Sequence, residues 1–251
     1  MSGRLTVIGL GPGSPDFLTP AAARALAEAT DLIGYGPYLD RIATIRPGQT
    51  VHASDNRVEL DRARHALTLA ASGRTVAVVS GGDPGVFAMA AAVLEAIDKG
   101  EPLWRNLDIR VEPGVTAMLA AAASVGAPLG ADFCAISLSD NLKSWETIER
   151  RLTAAAEGDF VIALYNPASK ARPHQIECAF GLLRKLKSAE TITVLVRAAG
   201  TGETDVTIGT LASLDASADM RTLVIIGSSR TKLIERPPHL PFVYTPRSEE
   251  P

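Results

Sequence analysis

Four glycine-containing segments each follow or end an apolar run, and their residue types suit the binding of a small molecule. They read GPGSPD from Gly11, GYGPYLD from Gly34, SGGDPGVFAMA from Ser80 and EPGVTAM from Glu112. Glycine lets a backbone approach a ligand closely, and the functional loops of open α/β sheets follow the carboxyl ends of strands. We therefore expect a binding site built mainly from loops that end strands.

Asp83 is the acidic residue at the centre of the third segment. A carboxylate beside Gly81, Gly82 and Gly85 suits a ligand with hydroxyl groups, an amino group and a positive centre, whereas it repels phosphate. The alternative is that Asp83 only caps the following helix. Thr116 of the fourth segment offers a hydroxyl at a helix start and has the same alternative.

The first segment matches a dinucleotide-binding fingerprint only in part. Gly9 and Gly11 fit G-x-G-x-x-G, but Ser14 holds the place of the third glycine. Pro12 removes a backbone N–H from the turn that would hold phosphate. The acidic residue expected about 20 positions later is also missing, because Asp31 precedes its apolar run. A dinucleotide is therefore disfavoured.

One loop of the second half combines an amide with two cations. The run ALY, ending at Tyr165, is followed by Asn166 and then by Lys170 and Arg172, ahead of a helical pattern. Such a group suits a ligand clamp. The alternative is that Asn166 is only a turn residue.

Composition and charge narrow the class of protein. The chain has 251 residues, of which 46% are hydrophobic and 21% charged, as is typical of a globular protein with one or two domains. A net charge of -3 predicts no binding to nucleic acid or to a membrane surface. No signal peptide or membrane span is expected, so the sequence predicts a cytoplasmic protein with small-molecule partners. No metal site is expected, because the two cysteines and four histidines lack ligand spacing.

Apolar runs alternate with helical segments along the chain, which predicts an α/β fold. Strands are expected at 4–10, 31–35, 75–80 and 108–112, with helices from about Pro20, Glu59 and Val86. A second series of strands is expected from Phe133, Phe160, Thr191, Thr204 and Arg221. We predict two α/β domains, residues 1–116 with a mostly parallel sheet and residues 117–251 with a mixed sheet. The final proline-rich segment is expected to be extended.

These motifs together resemble the tetrapyrrole methylase superfamily, whose members methylate macrocycle carbons in cobalamin and sirohaem biosynthesis. The resemblance rests on VIGLGPGSPDFLT, SGGDPGVFAMA, VEPGVTAMLAAAASVGAPLGADF and the late GTL at 209–211, so it spans nearly the whole chain. It implies two α/β domains with the active-site cleft between them. It also implies S-adenosyl-L-methionine as methyl donor, S-adenosyl-L-homocysteine as product, a tetrapyrrole substrate and a homodimer.

Within the family, ISLSD, LYNPASKAR and LVRAAGTGETDV are most similar to the members that methylate C(17) of the ring and contract it. Whether the macrocycle is metal-free or carries cobalt stays open. Further alternatives are methylation of another precorrin carbon, of ribosomal RNA or of a modified histidine, although the acidic balance disfavours RNA. A non-catalytic binding protein or a dinucleotide oxidoreductase that shares the glycine loops is a third class.

The resemblance assigns roles to residues. The family's contacts to S-adenosylmethionine fall on Pro12, Gly81, Gly82, Asp83, Val86, Thr116, Ala117, Asn166 and Gly209. Relatives that methylate uroporphyrinogen carry an aspartate where Gly36 stands, so their acid/base pair cannot be transferred to this chain.

The implied reaction is attack of a nucleophilic ring carbon on the sulfonium methyl, and ring contraction additionally requires proton transfers. The acid/base candidates are Asp132, Asp140, Glu112 and Tyr165, each with an alternative as a cap, turn or packing residue. A substrate rich in carboxylates calls for cations. The candidates are Lys170, Arg172 and Arg197, then Arg57 and Lys143, each alternatively a solvated surface charge.

Overall fold

The computed structural model describes residues 3–55 and 58–248. The chain divides into two compact units, which we call unit 1 (Met1–Thr116) and unit 2 (Ala117–Pro251). None of the helices in the described ranges combines the length and apolar character needed to cross a membrane.

Unit 1 is built on a five-stranded sheet in the order β3-β2-β4-β1-β5, in which each neighbouring pair is parallel. Its elements are β1 (Arg4–Gly9), α1 (Pro20–Glu28), β2 (Asp31–Tyr35), α2 (Gly36–Leu39), β3 (Thr50–Ser54), α3 (Glu59–Ala71), β4 (Thr75–Ser80), α4 (Met89–Lys99) and β5 (Asp108–Glu112). Two 3-10 helices span Pro15–Phe17 and Pro102–Asn106. The predicted parallel sheet is confirmed.

Both faces of this sheet are covered, which explains why its central strands read as continuous apolar runs. Leu5 and Val7 of β1 pack with α3 and α4, whereas Ile8 packs with α1. Thr19 caps α1, since its hydroxyl accepts the Ala22 N–H at 3.1 Å. The strands are therefore held between two helical layers.

The predicted helix from Val86 begins three residues later, at Met89. Phe87 has a left-handed backbone with φ of 53°, and Ala88 is extended, so neither continues a helix. The Met89 N–H is accepted by the Ser80 hydroxyl at 3.2 Å. The loop after β4 is consequently longer than the sequence pattern indicates.

Unit 2 contains a mixed sheet in the order β10-β9-β11-β8-β7, as predicted. Its elements are α5 (Ala117–Val125), β6 (Gly126–Ala127), β7 (Phe133–Ser137), α6 (Trp145–Glu157), β8 (Val161–Tyr165), α7 (Gln175–Leu186), β9 (Ile192–Arg197), β10 (Asp205–Thr210), β11 (Thr222–Ile226), β12 (Lys232–Arg236) and β13 (His239–Tyr244). Strands β7 and β8 are parallel, whereas β8–β11, β11–β9 and β9–β10 are antiparallel. Helices α6 and α7 pack on this sheet.

The proline-rich segment is extended, but it also forms a paired hairpin that the sequence did not predict. Strands β12 and β13 pair antiparallel, and β13 pairs with β6. The register shifts between Ile234 and Arg236, opposite the stretch that holds Pro241. Proline lacks an N–H for the ladder, so this irregularity is where a strand can accept it.

Asp31 is the most completely hydrogen-bonded carboxylate of unit 1, and it lies at the amino end of β2. Its side chain is 1% exposed and accepts from Arg74 Nε at 2.7 Å, Thr30 Oγ1 at 2.6 Å and His52 Nε2 at 3.0 Å. Burial raises the pKa of Asp31, but hydrogen bonds from Arg74, Thr30 and His52 outweigh it and bring the pKa to about 2. This carboxylate therefore stabilises the fold in its ionised form.

We expect Asp31→Asn to destabilise the protein in a pH-dependent way. A lowered folded-state pKa gives stability that is present above the unfolded pKa of about 3.9 and is lost as the pH falls through the folded value. The loss in the free energy of unfolding should be about 2 kcal/mol at pH 7 and roughly half of that at pH 3, measured by urea denaturation. Asp61→Asn, at a side chain that is 73% exposed, is the matched control with little effect. A pH-independent loss for Asp31→Asn would contradict the assignment.

Candidate functional site

Three loops of unit 1 meet at the carboxyl edge of its parallel sheet. Gly11, after β1, and Gly82, after β4, exchange two backbone hydrogen bonds, with N···O distances of 3.1 and 2.8 Å. The loop after β5 joins them through Gly114. We call residues 10–13, 81–85 and 113–114 the unit 1 loop cluster.

Asp83 connects two of these loops with its carboxylate. Oδ1 accepts the Gly85 N–H at 2.8 Å, and Oδ2 accepts the Gly114 N–H at 3.0 Å. Helix α4 begins well after Asp83, so the residue is not simply its cap. A carboxylate offers about four lone-pair sites, so each oxygen can also accept from a ligand.

Glycine is required where these backbones touch. A Cβ at Gly9 would lie 2.7 Å from both Gly82 O and Gly114 N, and one at Gly81 would lie 2.8 Å from the Tyr38 ring. Gly82 itself has a left-handed φ of 67°. The glycine spacing therefore serves close approach of the loops to one another.

Other predicted cofactor residues of unit 1 lie in or beside the cluster. Pro12 is half-buried between two of its glycines, and the Val86 N–H donates to Asp83 O at 3.3 Å. Thr116 is buried and follows Gly114 by two residues. Phe87, the apolar residue next to Val86, is 51% exposed on its left-handed backbone.

Glu112 is not brought to this cluster. It ends β5 in register with Ile8, and it lines a separate cavity of about 180 Å³ with Arg4, Arg24 and Arg110. Its side chain therefore lies among surface charges near α1, which does not support the predicted acid/base role.

In unit 2, Asn166 follows β8 and Ser137 ends the neighbouring parallel strand β7. The Asn166 amide Nδ2 donates to the buried Ser137 hydroxyl at 2.9 Å, and the Ser139 N–H donates to the same hydroxyl at 3.3 Å. Asn166 has a left-handed φ of 52°. Backbone strain of this kind is common at ligand sites. Ser137 was missed because a serine inside ISLSD carries no signal of its own.

Tyr165 ends β8 with its hydroxyl engaged. That oxygen accepts the Met118 N–H at 3.1 Å, in the first turn of α5, where helical N–H groups lack internal partners. Ala117 begins the same helix. The Tyr165 hydroxyl thus accepts an N–H of the first turn of α5, a role that an N-cap side chain often has.

Asp140, a predicted acid/base candidate, and Arg172, a predicted substrate cation, are brought together in unit 2. Arg172 Nη1 lies 3.6 Å from Asp140 Oδ1, and Gln175 Nε2 lies 3.4 Å from Asp140 Oδ2. Within the described ranges, Arg172 Nη1 and Gln175 Oε1 are buried without a hydrogen-bond partner. One donor and one acceptor are therefore available beside this carboxylate.

The remaining cations differ in their surroundings. Lys143 donates to Ser139 O at 3.2 Å, and burial, with a further contribution from Arg151, lowers its pKa. Lys170 is exposed at the tip of a tight turn closed by backbone bonds between Ser169 and Arg172. Arg57 lies outside the described residues.

Asp132 and Gly209 lie away from the sheet edge that holds Asn166, whereas Arg197 lies at that edge but is already paired. Asp132 precedes β7, at the amino end of that strand, where its carbonyl accepts the Val161 N–H. Arg197 ends β9 but donates to Asp219 at 2.8 Å. Gly209 pairs with Thr193 near the start of β9, and an added Cβ there would meet Leu214.

In the part of the chain that the structure describes, no three His, Cys, Asp or Glu side chains are grouped to hold a metal ion.

Comparison with known proteins gives the class. The family model for Tetrapyrrole (Corrin/Porphyrin) Methylases matches residues 4–215. The chain belongs to this family, which confirms the resemblance drawn from its motifs, and it is a methyltransferase. It is 58% identical to the precorrin-3B C(17)-methyltransferase of a Sinorhizobium species, over 98% of this chain and 97% of that one. It is 41% identical to the probable cobalt-factor III C(17)-methyltransferase of Salmonella typhimurium, over 90% and 93% of the two chains.

The fold agrees with solved structures. The crystal structure of the methyltransferase CobJ matches with a TM-score of 0.92 and 53% identity, over 98% of this chain and 100% of that one. Uroporphyrin-III C-methyl transferase from Thermus thermophilus, complexed with S-adenyl homocysteine, shares the fold with a TM-score of 0.68 and 24% identity, over 90% and 97% of the chains. The chain also spans 46% of the length of the Mycobacterium tuberculosis CobIJ protein, at 50% identity over 92% of this chain.

We predict that Gly9→Ala disrupts the unit 1 loop cluster. The new methyl group overlaps backbone atoms of two loops, so the free energy of unfolding should fall by about 1–3 kcal/mol in urea denaturation. Gly181→Ala is the matched control, since an added Cβ there meets nothing within 4 Å on helix α7. It should instead stabilise the protein by about 0.5–1 kcal/mol. Equal stability of the two variants would contradict the close approach.

Proposed function

We propose that this protein transfers a methyl group from S-adenosylmethionine to C(17) of precorrin-3B and contracts the ring to give precorrin-4, in cobalamin biosynthesis. The observation that carries the proposal is the similarity to a precorrin-3B C(17)-methyltransferase over nearly the full length of both chains. The unit 1 loop cluster supplies the matching geometry, with close backbones and one carboxylate.

The residues of unit 1 fit S-adenosylmethionine as methyl donor. Asp83 uses one hydrogen bond per carboxylate oxygen within the chain, which leaves acceptor sites for hydroxyl or ammonium groups of a ligand. A carboxylate also suits a sulfonium cation better than it suits phosphate. We assign Pro12, Gly81, Gly82, Asp83, Val86 and Thr116 to the cofactor. Ala117, Asn166 and Gly209 of unit 2 stay predictions from the family resemblance.

S-adenosylmethionine, when bound, supplies an electrophilic methyl group. The new bond joins that methyl to the nucleophilic C(17), while the carbon–sulfur bond breaks and S-adenosylhomocysteine leaves. The chain's part in this step is alignment, which is worth up to about 7–11 kcal/mol of the barrier in favourable cases. Loops held by backbone hydrogen bonds and a carboxylate brace provide the required rigidity.

The substrate carries several carboxylates, and we assign Arg172 and Lys170 to them. Arg172 Nη1 is buried and makes no hydrogen bond among the described residues, although it lies within ion-pair distance, 3.6 Å, of Asp140 Oδ1. Asp140 is our remaining acid/base candidate for ring contraction, because it lies beside Arg172, which we assign to a substrate carboxylate. Arg197 is a weaker candidate for binding substrate carboxylates, because its guanidinium already forms an ion pair with Asp219.

A cobalt-bearing macrocycle is the second candidate substrate. The chain is also similar to a probable cobalt-factor III enzyme, but with lower identity than to the precorrin-3B enzyme. Incubation with each macrocycle and S-adenosylmethionine, followed by mass spectrometry, separates the two. Gain of one methyl group on precorrin-3B alone supports the proposal, and turnover of the cobalt form alone overturns it.

We further propose a homodimer that acts in the cytoplasm, as the family resemblance implies. Sedimentation equilibrium tests the dimer, and a monomer at micromolar concentration would exclude it.

Asp83→Asn should weaken binding of S-adenosylhomocysteine. The asparagine amide places an NH₂ group against the N–H of Gly85 or Gly114, and it removes the charge that a bound ammonium or hydroxyl group requires. Loss of a charge-assisted hydrogen bond is worth about 1.5–3 kcal/mol, so affinity should fall roughly tenfold or more in calorimetric titration. Asp61→Asn is the control with unchanged affinity. Binding of NAD by the wild type, or full affinity in Asp83→Asn, would contradict the assignment.

Arg172→Met should raise KM for precorrin-3B roughly tenfold while leaving the affinity for S-adenosylhomocysteine unchanged, because it removes a hydrogen bond to a substrate carboxylate. Lys185→Met, at an exposed position on helix α7, is the matched control. Steady-state kinetics with varied macrocycle checks both. An equal rise of KM in the two variants would mean that only general surface charge is involved.

A further inference from the structure

The turn after β2 carries an arginine that contacts the unit 1 loop cluster through its backbone. Arg41 Nη2 donates to Leu10 O at 3.2 Å, to Gly11 O at 2.7 Å and to Gly13 O at 3.4 Å. All three acceptors are carbonyl oxygens of the loop after β1. Arg41 lies outside the sequence motifs described above.

Three carbonyl oxygens that converge on one point repel one another unless a cation lies between them. The guanidinium of Arg41 supplies that cation at a price in solvation, since burial lowers its pKa. Its Nε is also buried without a hydrogen-bond partner among the described residues. The hydrogen bonds to the loop after β1 are therefore the interactions that compensate for burial of Arg41.

The same turn also contacts the loop after β4. The Tyr38 ring lies so close to Gly81 that a Cβ there would be 2.8 Å from it, and the Arg41 guanidinium carbon lies 6.0 Å from the centroid of that ring. Gly11 O accepts from Arg41 and also from the Gly82 N–H at 2.8 Å. Arg41 and Tyr38 thus brace both glycine loops from one side.

We propose that Arg41 is a positioning residue for methyl transfer, which fixes residues 11–13 against Gly82 so that donor and acceptor carbon are aligned. This role rests on the proposed function. Misplacement of reacting groups by about 1 Å can cost roughly a hundredfold in rate, so a small shift of this loop is sufficient.

Two substitutions test the role in the full-length protein. Arg41→Met keeps much of the aliphatic stem but removes every donor, and kcat for precorrin-3B should fall roughly tenfold or more. Arg41→Lys restores a cation with three N–H donors, so it should recover most of that loss. If Arg41 acted only on stability, Arg41→Met and Arg41→Lys variants of equal thermal stability would have equal kcat. Recovery of kcat by lysine without a gain in thermal stability therefore indicates a positioning role.

Arg74→Met is the matched control. Arg74 also bonds through its guanidinium, but to Asp31 at the amino end of β2, on the opposite edge of the sheet from the loop cluster. The Arg74→Met substitution should lower thermal stability and leave kcat unchanged at temperatures below the unfolding transition. Loss of kcat in Arg41→Met that merely tracks loss of stability, as in this control, would overturn the proposal.

Hydrogen–deuterium exchange gives a readout that needs no turnover. The amides of Gly11 and Gly82 donate across the two loops, so their exchange should accelerate in Arg41→Met, return toward wild type in Arg41→Lys and stay unchanged in Arg74→Met. Unchanged exchange in Arg41→Met would overturn the positioning role. If the wild type fails to methylate precorrin-3B while exchange responds as expected, the proposed substrate is wrong and the loop role of Arg41 stands.

Discussion

The pair of backbone hydrogen bonds between Gly11 and Gly82 is the interaction on which the candidate site depends. It requires two loops to approach more closely than a side chain permits, which accounts for glycine at position 9. Gly11 and Gly82 instead have left-handed φ angles of 71° and 67°, which favour glycine. The cluster is then held by complementary charges. Asp83 accepts N–H groups of two loops, while Arg41 donates to three carbonyls of the first. The backbone N–H donors are thus bonded to the Asp83 carboxylate, and the backbone carbonyl acceptors to the Arg41 guanidinium.

The sequence predicted the central strands of unit 1 because they are buried on both faces and therefore read as apolar runs. It missed β3, an edge strand in which three of the five residues are exposed, so that it does not read as an apolar run. The C-terminal hairpin was also missed, because its prolines disfavour a paired strand and the irregular register that accommodates Pro241 leaves no local signal. The role of Arg41 could not be predicted from the sequence for another reason. Its contacts are with carbonyls about 30 residues away, which any residue type provides.

Strand ends guided the choice of candidate residues, but two further properties distinguish one residue at a strand end from another. The first is direction: Asp132 lies at the amino end of β7, whereas Asp140 follows its carboxyl end. The second is the face of the sheet. Side chains alternate along a strand, and Glu112 lies with Arg110 on the face that carries α1 charges. Sequence spacing alone specifies neither the strand direction in the sheet nor the face that a helix covers.

Asp31 and Asp83 show how the structure separates a stabilising carboxylate from one suited to a ligand. They lie at opposite edges of the same sheet. Asp31 accepts two hydrogen bonds on each oxygen, from Arg74, Thr30 and His52, which fills the four lone-pair sites of a carboxylate. Asp83 accepts one backbone N–H on each oxygen and is partly exposed. Acceptor capacity left unused by the fold, rather than the presence of an acid in a glycine-rich turn, is the physical reason to assign Asp83 to a ligand.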